Sequence, residues 1–137
     1  MNNAELRRIV YSGPSMKPLF RHGYILACEK AAFDTLRKRD IIVFSAPRSG
    51  EKIVHRIIRI DFRKRHIKTK GDGSLLPDPF TIREEDIIGR ITSYSRSGST
   101  TVLTPMLLYV SYLYSKFMHP YRKIKSIIKT QTIFRHS

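Results

Sequence analysis

The chain has a single cysteine, Cys28, among 137 residues, so no internal disulfide can brace it and nothing points to an oxidised framework. Cys28 stands in the apolar stretch Tyr24-Ile25-Leu26-Ala27-Cys28 and reads as core. The five histidines, at 22, 55, 66, 119 and 136, have neither cysteine nor carboxylate at ligand spacing, which leaves a metal site without support; no cofactor is expected. Met1 to Val10 is polar and charged, with neither the apolar run of a signal peptide nor that of a membrane span. Internal repeats are absent too. Acid is scarce: no Asp or Glu follows Asp86, although eight basic side chains do, among them Arg122, Lys123, Lys125 and Lys129.

What is present fits one folded domain. A chain of this length buries roughly two-thirds of its unfolded surface, and 41% hydrophobic residues with seven Phe and seven Tyr supply a core. The formal charge is +15, from 26 Lys and Arg against 11 Asp and Glu. Half of that excess lies in the last third of the chain, a distribution that seeks an anionic surface, lipid headgroups before nucleic acid. No aromatic-basic stacking motif or glycine-rich loop supports a nucleic-acid partner.

Segments rich in β-branched residues recur at short intervals: Tyr24–Glu29, Asp40–Ser45, Lys52–Ile60, His66–Lys70 and Ile87–Ser95. Turn chemistry separates them at Ser12-Gly13-Pro14, Pro47-Arg48-Ser49-Gly50, Gly71-Asp72-Gly73 and Pro77-Asp78-Pro79, and Ala31–Arg39 has room for one helical turn. The spacing predicts a small, mostly β, antiparallel domain over residues 1–97. Ser97-Gly98-Ser99-Thr100-Thr101 then reads as a polar linker into a second segment, 98–137. There Thr104-Pro105 reads as a helix N-cap and first helical residue. Leu103, Met106, Leu107, Val110, Leu113, Tyr114 and Phe117 follow at helical spacing until His119-Pro120.

An apolar helix of about 14 residues covers roughly 21 Å, short of the ~30 Å hydrocarbon core. It is expected to lie on a membrane or pack on the β-domain. Tyr121–Phe134 mixes Ile124, Ile127 and Ile128 with Lys123, Lys125 and Lys129, the pattern of an interfacial amphipathic helix. The expected location is therefore peripheral, at an anionic cytoplasmic membrane, with the cytoplasm as the alternative.

Three short segments carry chemistry. Ser15 sits in the turn Ser12-Gly13-Pro14-Ser15-Met16-Lys17-Pro18, where a constrained backbone can present its hydroxyl and aim its own N–H at an oxyanion. His55 lies in Lys52-Ile53-Val54-His55-Arg56-Ile57-Ile58, and alternation puts Ile53, His55 and Ile57 on one face. Imidazole ordinarily titrates near ~6.5, suited to taking a proton at neutral pH. Asp72 and Asp78 flank a loop with Gly73 and Pro77, and either can accept a hydrogen bond from the second imidazole nitrogen. Each piece alone also has an ordinary structural explanation: a turn serine, a core histidine, a turn-capping aspartate. Nucleophile, base and carboxylate in one chain are less easily accidental.

Over residues 9–92 the sequence resembles the type I signal peptidase family. Ser12-Gly13-Pro14-Ser15-Met16-Lys17-Pro18-Leu19-Phe20 is similar to its nucleophile box. Leu36-Arg37-Lys38-Arg39-Asp40-Ile41-Ile42-Val43-Phe44 resembles its Gly-Asp-hydrophobic-Val-Phe strand, with Arg39 in place of the usual glycine. Ile53-Val54-His55-Arg56-Ile57-Ile58 resembles the box of the general base, Lys68-Thr69-Lys70-Gly71-Asp72 with Asp78 the Thr-Lys-Gly-Asp box, and Ile88-Gly89-Arg90-Ile91 the closing strand. The His-Arg pair is similar to the endoplasmic-reticulum and archaeal type, whereas most bacterial members carry lysine there.

The resemblance implies Ser15 as nucleophile, His55 as base, Asp78 as its acidic partner and Asp72 as a structural or auxiliary carboxylate. Gly13 stands where many members have a serine that helps the oxyanion hole, which leaves Ser12 or backbone groups to serve. It further implies an extended leader or preprotein peptide as substrate, cleaved after small residues at the first and third positions before the bond. The family's N-terminal membrane anchor has no counterpart here, so a specialised peptidase held on a membrane through its C-terminal helix is expected. Two other readings compete. One is a regulatory or self-cleaving peptidase resembling the LexA-type repressors, for which Lys52 is the available lysine, at an odd offset from His55. The other is an inactive basic module that binds anionic lipid or nucleic acid.

Overall fold

The computed structural model describes residues 5–117, in which eight strands form one antiparallel sheet. They are β1 (Leu6–Val10), β2 (Ile25–Glu29), β3 (Ile41–Ser45), β4 (Lys52–Asp61), β5 (His66–Lys70), β6 (Ile82–Arg83), β7 (Ile87–Arg96) and β8 (Ser99–Val102). Neighbours run β1-β2-β7-β3-β4-β5-β6, with β8 also on β7, and the sheet curls into a half-barrel. The expected mostly β domain is what forms. The predicted helical turn falls at Phe33–Thr35, inside its window, and a second such turn lies at Glu84–Asp86.

The core is organised by strand alternation about β3, whose Ile41, Ile42, Val43 and Phe44 are all buried. Ile41 and Val43 join Met16, Phe20 and Leu26 on one face, while Ile42 and Phe44 join Leu36, Ile57 and Ile67 on the other. A strand covered on both sides needs an unbroken apolar run, and β-branched residues fit its pleat. Each large side chain so buried contributes about 1.5–3 kcal/mol. Both faces of β3 are therefore occupied.

One expectation is corrected. Residues 97–101 are not a linker: Ser97 and Gly98, at φ 49° and 80°, form a tight turn, and Ser99–Val102 pairs back along β7 from Ser93 to Arg96. Two positive-φ residues between strands are the signature of a two-residue hairpin, and Thr100, Thr101 and Val102 suit a strand. The boundary drawn at 97/98 falls in that turn.

Helix α1 occupies residues 105–117 and begins as predicted: the Leu107 N–H donates to Thr104 Oγ1 at 3.2 Å, and Pro105 opens the first turn. Leu103 and Leu108 are buried in the first core cluster, with Leu107 packed against it. Met106, Tyr109, Val110 and Phe117 stay exposed. Among the described residues no helix is long and apolar enough to cross a membrane. His119-Pro120 and the basic Tyr121–Phe134 stretch lie outside the described residues.

Candidate active site

The loop carrying Ser15 is closed at its base and anchored from inside. The Tyr11 N–H donates to the Tyr24 carbonyl at 2.8 Å, and the Gly23 N–H donates to the Tyr11 carbonyl at 2.9 Å. Met16 and Phe20, the apolar residues of this loop, are completely buried, and their descent into the core fixes where Ser15 stands. Gly13 turns the chain at φ 103°, a conformation that favours glycine. Pro14 has no N–H, the Met16 N–H donates to the Tyr11 hydroxyl at 2.9 Å, and the Ser15 N–H has no partner among the described residues.

A second loop, after β5, is stitched to the first. The Gly73 N–H donates to the Ser15 carbonyl at 2.8 Å, and the Asp72 N–H donates to Met16 Sδ at 3.5 Å. The approach is so close that a Cβ on Gly71 would come within 2.6 Å of the Ser15 carbonyl oxygen and 2.9 Å of His55 Nε2. Only glycine fits there, because one obstacle is backbone. The peptide of the nucleophile candidate and the reactive edge of the imidazole thus converge on one residue.

His55, on β4, is buried with Phe44 edge-on at 6.3 Å. Its Nδ1 lies 2.6 Å from Asp78 Oδ2, the same oxygen that accepts the Thr69 hydroxyl at 2.6 Å. A carboxylate only accepts, so Nδ1 carries the hydrogen and Nε2, facing Gly71 and the Ser15 loop, is left as the acceptor. Asp78 is itself held in place, its N–H donating to the Thr69 carbonyl at 2.9 Å.

Asp72 goes elsewhere. Arg56 grips it with Nε on Oδ1 at 2.8 Å and Nη2 on Oδ2 at 2.7 Å, and the guanidinium is 1% exposed. Its remaining donors reach the Leu108 carbonyl at 2.8 Å, Ser111 Oγ at 3.0 Å and the Arg39 carbonyl at 3.4 Å, so all five N–H groups are used. This answers a question the sequence left open: Asp78 meets the imidazole, and Asp72 meets Arg56, whose other donors tie β4 to α1.

Ser15 and His55 line one cleft of about 710 Å³ with Tyr11, Ser12, Val43 and Val54. Arg7 and Lys52 stand on its lining as well. Of the sequence-predicted residues, Ser12, Ser15 and His55 stand on the cleft, Gly13 is in the turn beside it, Asp78 lies behind the imidazole, and Asp72 is bound to Arg56 instead. The Ser15 hydroxyl itself is hydrogen bonded to the Tyr11 hydroxyl at 3.1 Å. Sequence reasoning missed Tyr11 and gave Arg56 no role; a tyrosine four residues before the serine belongs to none of the boxes. Among the described residues no three His, Cys, Asp or Glu gather as a metal centre. No protein-family model matches this chain.

Proposed function

We propose that the protein is a serine endopeptidase of the signal-peptidase type, with Ser15 as nucleophile and the His55–Asp78 pair as base. The observation that carries this reading is the convergence at Gly71 of the Ser15 peptide and His55 Nε2, with Asp78 2.6 Å from the opposite ring nitrogen. Ser15 and His55 line the same cleft, and hydrogen bonds between nucleophile and base commonly tighten only when substrate binds.

Chemistry then follows from the donors available. Ser15 Oγ forms a bond to the scissile carbonyl carbon as its proton passes to His55 Nε2, and Asp78 stabilises the imidazolium. The oxyanion meets the unengaged Ser15 N–H, with the Ser12 hydroxyl in the same cleft. Collapse breaks the carbon–nitrogen bond, the leaving amine takes the proton from His55, and water hydrolyses the ester by the reverse route. An extended peptide laid between β1 and β4 brings its carbonyl to Ser15, and a leader segment with small residues before the bond is the substrate class proposed.

Peripheral attachment to an anionic membrane completes the reading. Met106, Tyr109, Val110 and Phe117 face outward on α1, and the chain after Asp86 holds basic residues without acidic ones. A fluorophosphonate probe tests the chemistry: it should label wild type at Ser15 and leave Ser15→Ala and His55→Ala unlabelled. Peptidase turnover that survives either substitution ends the proposal.

A further inference from the structure

We infer that Tyr11 positions the nucleophile: its phenol donates to Ser15 Oγ and thereby directs the serine's own proton toward His55. This rests on the peptidase reading above and adds a residue that its motifs do not contain.

The geometry decides the direction of that hydrogen bond. Tyr11 is 4% exposed, fixed through both backbone groups, with its ring edge-on to Phe20 at 5.8 Å and 61°. Only the hydroxyl leaves this apolar setting. A phenol has one proton and two lone pairs. The Met16 N–H takes a lone pair at 2.9 Å, and the partner within reach of the proton is Ser15 Oγ at 3.1 Å. Were Ser15 the donor, the phenol proton would be buried without an acceptor, a costly arrangement. With Tyr11 as donor both groups are satisfied, because Ser15 is only partly buried and the cleft continues to His55 on its other side.

The consequence is a selected rotamer. A serine hydroxyl ordinarily samples three staggered wells, and a donor held on a rigid ring favours one of them. The same phenol keeps the Met16 N–H occupied, whereas the Ser15 N–H beside it has no partner among the described residues. A tyrosine that merely filled the core would matter to stability and not to the reactivity of Ser15.

The experiment uses the full chain as wild type, Tyr11→Phe and Ser15→Ala, and reads fluorophosphonate labelling rate, peptide turnover and thermal midpoint. Tyr11→Phe should melt cooperatively and label about tenfold to a hundredfold more slowly, with kcat falling by the same factor and KM within about twofold of wild type. Labelling of Tyr11→Phe at the wild-type rate overturns the assignment while leaving Ser15 and His55 in their roles. A wild-type protein that takes no probe overturns the peptidase reading itself, and this inference with it. If Tyr11→Phe does not fold, site-specific 3,5-difluorotyrosine at position 11 keeps ring and hydroxyl but lowers the phenol pKa. Turnover should then gain an alkaline fall where the phenol has lost its proton; a profile identical to wild type overturns the assignment.

Discussion

Two aspartates of one loop hold two neighbouring basic residues of β4, and the pairs could hardly differ more in what they leave free. Arg56 and Asp72 exhaust each other: five N–H groups find five acceptors, in a setting 1% exposed at the arginine. His55 and Asp78 leave one ring nitrogen without a partner among the described residues, turned toward the serine loop. A saturated pair can only hold structure together, whereas an unsaturated one can exchange a proton. The lesson is that burial of a charge pair says little about function until its spare valences are counted.

The sharpest break of this contrast is at Asp78. Asp78→Asn should lower peptidase turnover about 10⁴-fold, because an amide does not enforce the tautomer that leaves Nε2 as acceptor. The fold should survive, and circular dichroism with a cooperative melt checks it. Breaking the saturated pair should do the opposite. Asp72→Asn or Arg56→Met strands a buried charge or its partner and should cost about 3–5 kcal/mol in denaturant unfolding. The double variant Arg56→Met/Asp72→Leu should recover a large part of that loss, and additive losses would show that the pair is not the relevant unit.

Gly71→Ala addresses the contact between the serine loop and His55. Its methyl meets backbone on one side, so overpacking should cost about 1–3 kcal/mol and separate Ser15 from His55, lowering turnover as well. Arg39→Gly is expected to be nearly silent. It relieves a non-glycine residue held at φ 83°, worth about 1 kcal/mol, but removes a guanidinium stacked 5.1 Å over Tyr109 of α1, worth about 0.5–1 kcal/mol. A thermal midpoint shift of more than a few degrees in either direction would show that one of these effects dominates.

The smallest effect comes from a second fork, placed in water. Arg65 grips Glu84 with Nε at 2.5 Å and Nη2 at 2.8 Å, much as Arg56 grips Asp72, yet on the exposed surface. Hydrogen bonding from Arg65 holds the Glu84 carboxyl below its usual range. A folded-state pKa below the unfolded one contributes stability that is complete above the unfolded value, near ~4.3, and fades as pH falls. The thermal midpoints of Glu84→Gln and wild type should differ slightly at about pH 6 and draw together as pH falls below the unfolded value. Solvent keeps that difference small.

Sequence made the five long strands and the helix start legible because β-branched runs and an N-cap are local signals. Leu6–Val10 escaped because its two arginines hide an alternation that only pairing with β2 makes meaningful. Ile82–Arg83 is too short to carry a period, and Ser99–Val102 was masked by serine and threonine that look like linker. At the site, chain order brought out Ser15, His55 and the two aspartates. The division of labour between Asp72 and Asp78 was not legible, since it depends on which neighbour of β4 each loop end reaches in three dimensions. Tyr11 was invisible for the same reason, its hydroxyl being significant only once the turn folds back over it. Arg39, noted as a departure from glycine, does sit where glycine is favoured, and its side chain reaches α1 in return.

The contact of Asp72 with Met16 spans 56 residues, and nothing local substitutes for it. Closure of such a long segment comes late in folding. A nascent chain that has emerged only through β4 therefore has its serine turn and its imidazole but neither the glycine rest nor the aspartate behind the ring. On the peptidase reading proposed above, the imidazole gains its carboxylate and the serine turn its support only once β5 and the loop after it have folded into place.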